Sequence, residues 1–169
     1  MASTDQLIED NRSVTPAADG ETTRATTAPA QDVRFQFADS VAVLFDRGSA
    51  RAESVGALRT HILSQHVQQG RRSLALCSTQ AGVGCTALAV NLSVALAQVE
   101  VKTLLIDGDI RNPSVHHHIV PSREVAGLQQ CLEDEKMAFG DAIQFDVLPN
   151  LSVLYAGGTA AVPQELLAR

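Results

Sequence analysis

The sequence predicts an α/β fold built around a mostly parallel sheet, and three stretches carry that expectation. Residues 73–77 (SLALC) and 102–106 (KTLLI) are short apolar runs of the kind that form fully buried strands. Between them, residues 86–99 hold Leu88, Leu92, Ala95, Leu96 and Val99 on one stripe, the pattern of an amphipathic helix. Two buried strands joined by such a helix make a right-handed βαβ unit, hence a parallel sheet.

The other elements follow in chain order. Residues 1–34 are expected to form a disordered arm, because to about residue 32 they hold Thr, Ala, Ser and Asp and almost no large apolar side chain. Such a stretch cannot offset its ordering entropy by burial. The folded domain is expected over residues 35–169. Residues 35–45 (FQFADSVAVLF) are apolar but too short for periodicity to separate strand from helix. Over residues 52–67, Val55, Leu58, Ile62 and Leu63 recur at helical spacing, with Gly70 as the stop. Beyond Asp109 the expected elements are a short helix over 127–132, a strand over 151–155 (LSVLY) and a helix beginning at Pro163, a residue suited to a first helical position. No internal repeat is present.

Composition narrows the function classes. A chain of 169 residues is long enough for one domain with a real core. Its 45% hydrophobic and 19% charged content reads as soluble and globular. A net charge of −6 argues against a nucleic-acid surface, which needs a basic patch. It leaves a nucleotide ligand open, since one phosphate site needs only local donors. The cysteines, Cys77, Cys85 and Cys131, have an odd count and no framework spacing, which points to a reducing compartment. The N-terminus lacks the apolar stretch of a secretory signal, and no run reaches the ~18 apolar residues of a membrane span. A cytoplasmic protein is expected, reaching a membrane only through a partner.

Residues 78–87 (STQAGVGCTA) join a strand end to a helix start, where free backbone N–H groups and the positive helix end converge. Gly82 and Gly84 let the backbone approach a phosphate, and Thr86 puts a hydroxyl where a phosphate-bound magnesium can be reached. The phosphate-loop frame G-x-x-x-x-G-K-[S/T] runs over residues 79–86. Gly84 and Thr86 match it; Thr79 replaces its first glycine and Cys85 its lysine. A rival frame, G-x-G-x-x-[G/A], fits residues 82–87, with Asp107 where a ribose-binding acid of a dinucleotide site stands. The four residues between the strand and Gly82 suit a phosphate loop better. A turn that uses glycine only for packing is the third reading.

Asp107 and Asp109 follow directly on the strand over residues 102–106. Ligands of open parallel sheets bind at the carboxyl ends of strands, so both acids are candidates for holding Mg²⁺ or orienting a nucleophile. A solvated acidic turn is the plainer alternative. His116, His117 and His118 are consecutive and cannot all face one metal on a regular element.

Together these residues resemble the bacterial tyrosine kinases of capsule and exopolysaccharide synthesis, a branch of the deviant phosphate-loop ATPases. The resemblance runs from about residue 52 to the end. It is carried by LLIDGDIRNPSVHH (residues 104–117), by VLYAGGTAAVPQELL (153–167) and by the glycine-loop segment. It implies a P-loop three-layer α/β/α domain and a site for ATP or ADP with Mg²⁺. Ala81, Gly82, Val83, Gly84, Cys85 and Thr86, with Arg111, would line the nucleotide. Asp107 and Asp109 would be the catalytic acids, and Thr86 and Asp107 the metal ligands. It also implies a membrane polysaccharide co-polymerase, or chain-length regulator, as partner.

The sequence departs from that pattern at named positions. Cys85 removes a charge-assisted phosphate contact worth about 2–5 kcal/mol of binding and more in a transition state. In the oligomerisation motif Glu-x-x-Arg-x-x-Arg, Glu53 and Arg59 match but Gly56 takes the middle place, which disfavours ring assembly. Tyr155, the one tyrosine, falls in an expected strand rather than a tyrosine-rich tail. No segment after Arg111 supplies the third acidic motif, so the sheet is expected to be incomplete at the C-terminus with an exposed edge. These departures point to a degenerate, kinase-like regulator. The alternatives are an active ATPase or autokinase in which Arg111 replaces the lost lysine, and a dinucleotide-binding domain. A redox role for Cys85, a thiol at a helix N-terminus, is a fourth reading.

Overall fold

A computed structural model describes residues 33–80 and 82–168, so Ala81 and nearly all of the expected N-terminal arm lie outside the described residues. Residues 35–45, ambiguous in sequence, divide into a strand and a helix: β1 (Phe35–Phe37) and α1 (Ala42–Phe45). α2 (Ala50–Ile62) begins at Ser49, whose Oγ accepts from the Ala52 N–H at 3.2 Å and satisfies one of the free donors of the first turn. Ala52, Val55 and Ile62 are its buried face. A π-helical turn, Leu63–Val67, extends it, and the chain leaves through Gly70 at φ +78°, as the stop signal implied.

α3 (Cys85–Ala97) packs against α1 and α2 on one side and the sheet on the other. Its buried set is Val90, Leu92, Val94, Ala95 and Ala97 together with Asn91 and Ser93. The expected stripe is therefore corrected: Leu92 and Ala95 are core, but Leu88 and the following Val99 are 36% and 40% exposed. α3 is apolar almost all round, so periodicity left its orientation open and tertiary packing decided it. Asn91, 1% exposed, is held on three sides. Its Nδ2 donates to Ser40 O and Ala87 O, at 3.0 and 2.8 Å, and its Oδ1 accepts from Val43 N–H at 3.3 Å.

The main sheet has the order β2 (Thr103–Ile106), β5 (Leu151–Leu154), β4 (Gln144–Leu148). β2 and β5 are parallel, with Thr103 opposite Leu151 and Ile106 opposite Leu154. β4 runs antiparallel to β5 and turns into it through Asn150 at φ +66°, a conformation asparagine tolerates well. β1 pairs with β3 (Ile119–Pro121) in a separate antiparallel ribbon. Helices pack on both faces of β5. Leu151, Val153 and Tyr155 join Val90 and Val94 of α3 in the principal core. On the opposite face Leu154 packs with Cys131 of α4 (Leu128–Glu133) and Ala142 of α5 (Phe139–Ala142). The three-layer α/β/α class is thus the one found, closed by α6 (Pro163–Leu167) with proline in its first turn. At Gly127, before α4, an added Cβ would run into the backbone of Tyr155 and Gly157, so only glycine fits that approach.

One expected strand is absent. Residues 71–78 carry no regular secondary structure and are exposed, Leu74 at 47% and Leu76 at 37%. The parallel pair is therefore β2 with β5, not residues 73–77 with β2. The expectation of a doubly buried β2 also fails: Leu105 is buried, but Leu104 and Ile106 are 44% and 51% exposed. The missing strand leaves β2 paired on one side. A strand needs a neighbour for its N–H and C=O groups, and among the described residues β2 has a strand only on its β5 side. β2 is therefore an edge strand because residues 71–78 stay unpaired, a different cause from the absent third acidic motif on which the expected edge rested.

Two stability measurements check this packing. Asn91→Leu leaves the Val43 N–H and the Ser40 carbonyl without their side-chain partner, and should lower unfolding free energy by about 2–4 kcal/mol in urea denaturation. His118 shares a 2.7 Å hydrogen bond with Ser40 Oγ. Burial first, and then neighbouring His117, hold its pKa below the ordinary 6.5. The folded state thus favours the neutral ring. That contribution is complete above 6.5 and is lost as pH falls through the lower folded value. Thermal midpoints should drop on acidification through this window, and His118→Gln should flatten the drop.

Candidate functional site

The glycine loop turns on two left-handed residues, Gly82 at φ +76° and Gly84 at φ +88°. A Cβ at either would meet nothing within 4 Å, so the dihedrals demand glycine here and the space in front of the loop is open. Gly84 is the N-cap of α3, and no side chain caps that end. The first-turn N–H groups of Cys85, Thr86 and Ala87 are consequently available to an anion, with the positive end of a 13-residue helix behind them. Ser78 Oγ donates to Gln80 O at 3.0 Å inside the loop. Val83 is 59% exposed, and Ala81 lies outside the described residues.

Asp107 stands at the carboxyl end of β2 and is only 5% exposed. Its own N–H donates to Leu154 O at 2.9 Å, continuing the parallel ladder. A buried carboxylate must be hydrogen-bonded. Here Oδ2 accepts from the backbone N–H groups of Ser114 and Val115, both at 3.0 Å, and Oδ1 accepts a longer bond from Asp109 N–H at 3.3 Å. The carboxylate thereby caps the 3₁₀ turn Val115–His117 and pulls the intervening loop back over the strand end. Oδ1 keeps acceptor capacity for a further partner. Asp109 is exposed, and its Oδ1 accepts from Arg111 N–H at 3.3 Å and Asn112 N–H at 2.9 Å.

The two halves of the site meet through a residue that the sequence reading did not single out. Ser114 Oγ lies 2.8 Å from Thr86 Oγ1, and the hydrogen bond runs from the serine hydroxyl. Cys85, Thr86, Asp107 and Asp109 line one groove of about 1020 Å³, bounded by β2, α3 and residues 71–78. Lys102, also on the groove, precedes β2 and so stands at the opposite end of that strand from Asp107. Arg111 is elsewhere: with Asp109, Pro163 and Leu167 it lines a cavity of about 200 Å³. His116 is held below its ordinary pKa by burial and by His117, while Asp107 opposes that shift. Among the described residues no three His, Cys, Asp or Glu side chains gather into a metal-holding group. The cysteines are free: Cys77 exposed, Cys85 half-buried and Cys131 buried.

No protein-family model matches the chain. It is 33% identical over 120 residues to the putative tyrosine-protein kinase CapB of Staphylococcus aureus, covering 71% of this chain and 52% of that one. Its homologues are bacterial tyrosine-protein kinases. It spans about half the length of the curated relatives it matches. In structure it is similar to the BceF tyrosine kinase domain, with a TM-score of 0.66 and 28% identity over 76% of this chain and 50% of that one. It is also similar to the chimerical protein CapA2B2, with a TM-score of 0.62 and 28% identity over 79% and 58% of the two chains.

Within this kinase-family fold the two acids should separate by stability. Asp107→Ala strips three backbone donors of a buried acceptor and should cost about 2–4 kcal/mol. Asp109→Ala removes an exposed turn acceptor and should stay within about 1 kcal/mol. Chemical denaturation of both variants at neutral pH reads the difference.

Proposed function

We propose that this chain is a kinase-like regulator of capsule or exopolysaccharide polymerisation or export, impaired in phosphoryl transfer. It works by contact with a membrane chain-length partner. The kinship with CapB and the likeness to CapA2B2 support the capsule setting. The observation that carries the impairment is Cys85. It is the first residue of α3, half-buried, and it presents a neutral thiol where the phosphate-loop frame calls for lysine. Among the described residues no helix is long and apolar enough to cross a membrane, so a cytoplasmic chain would reach the membrane through its partner.

The residues present suit part of a nucleotide site. The uncapped end of α3 and the open space before Gly82 and Gly84 fit a phosphate. Thr86 Oγ1, Asp107 Oδ1 and the exposed Asp109 are oxygen donors of the kind Mg²⁺ prefers. Mg²⁺, when bound with ATP or ADP, would neutralise phosphate charge. The missing element is a cation at the loop. Arg111, the nearest basic residue to the acids in sequence, lines the smaller cavity rather than the groove, which weighs against an active autokinase using it. The family relationship likewise favours the phosphate-loop reading of residues 82–87 over the dinucleotide one.

Calorimetric titration of Mg-ATP and Mg-ADP into the wild type and Cys85→Lys tests the proposal. The lysine variant should bind about 2–5 kcal/mol more tightly, which is roughly 30- to 4,000-fold in Kd. Tight binding by the wild type, unchanged by lysine, would mean that another residue does the lysine's work and would favour the active-ATPase reading instead.

A further inference from the structure

We infer that Ser114 is a positioning residue for the Thr86 hydroxyl, setting it up to ligate a divalent cation. The inference rests on the proposed nucleotide site and deepens it. Ser114 is anchored twice. Its backbone N–H donates to Asp107 Oδ2 at 3.0 Å, and its hydroxyl bonds Thr86 Oγ1 at 2.8 Å. One residue therefore ties the first turn of α3 to the end of β2, the two elements that carry the candidate cation ligands. Ser114 and Thr86 are both half-buried, so this contact is partly shielded from bulk water.

The chemistry asks for such a residue. A threonine hydroxyl binds a cation through an oxygen lone pair, and its proton must then point at another acceptor. Ser114 Oγ is an acceptor already at hydrogen-bond distance. Without the cation the serine donates to Thr86. Were a cation bound, both hydroxyls could rotate so that Thr86 would donate to Ser114 with the oxygen–oxygen distance unchanged. No other side chain in the described structure is hydrogen-bonded to Thr86 Oγ1. The backbone bond to Asp107 keeps Ser114 in place during this exchange. Partners of this kind, one step removed from a metal, typically change metal affinity about 10- to 100-fold when removed.

A structural tie and a positioning residue differ in what they do to metal linkage. The experiment is calorimetric titration of ADP into the full chain carrying Cys85→Lys, with excess Mg²⁺ and with chelator. The quantity read is the gain in affinity due to Mg²⁺. Adding Ser114→Ala should leave the metal-free ADP affinity within about twofold and cut the Mg²⁺ gain about tenfold or more. Ser114→Thr, which keeps the hydroxyl, should restore it. Thermal melts identify any variant that fails to fold, and Ser114→Cys serves then as the milder change. If Cys85→Lys binds Mg-ADP and Ser114→Ala weakens binding equally with and without metal, or Thr fails to rescue, Ser114 is only a tie and the inference falls alone. If Cys85→Lys binds no ADP under either condition, the nucleotide reading falls and takes this inference with it.

Discussion

The carboxylate of Asp107 is the interaction on which the candidate site is built. A charged group left 5% exposed is tolerable only when its lone pairs meet donors, and here three backbone N–H groups supply them. Those bonds oblige the chain to fold back after β2, bringing Ser114 onto Thr86 and dropping Val115 into the core at 2% exposure. From Val115 the 3₁₀ turn leads to Ile119, which is fully buried and whose carbonyl accepts the Tyr155 hydroxyl at 2.9 Å. Core and site are thus stitched from the same acid. An electrostatic need at one residue fixes the path of the next dozen.

Much of this was legible in the sequence where a local rule has a local cause. Glycines at 70, 82 and 84 do adopt positive φ, Pro163 does open a helix, and Asp107 does sit at a strand end. What escaped depends on partners distant along the chain. The run SLALC announces an appetite for burial but not the neighbour that would satisfy it, and residues 71–78 stay unpaired. Helix α3 is so uniformly apolar that its inward face had to be chosen by α1, α2 and the sheet. β4 was missed because its register is irregular and Asp146 sits at φ +52°, which breaks the alternation a strand should show. Ser114 meets Thr86 across 28 positions, a separation no periodicity encodes.

Cys85 shows how chemistry and architecture can be uncoupled at one position. The loop conformation is set by the dihedrals of Gly82 and Gly84 and by the start of α3, none of which involves the side chain at 85. A lysine there contributes charge to a bound phosphate, not stability to an empty turn. The frame can therefore persist after the charge is gone. That is why fold and kinship are read here more readily than activity, and why a single substitution is enough to interrogate the function.

The strand order carries a consequence for how the protein is made. β5 is the central strand, since β2 and β4 pair with it and not with each other. It also follows β2 and β4 in the chain, so Thr103 must wait for Leu151 before the parallel ladder can begin. During synthesis α3 and β2 leave the ribosome before β5, with Leu104 and Ile106 bare and no sheet to join. Non-local pairing of this type is slow and leaves apolar surface exposed in the meantime. A chain cut or stalled before residue 151 has no main sheet at all, rather than a smaller one. Nascent chains without β5 keep that apolar surface bare, the kind of surface on which chaperones and proteases act.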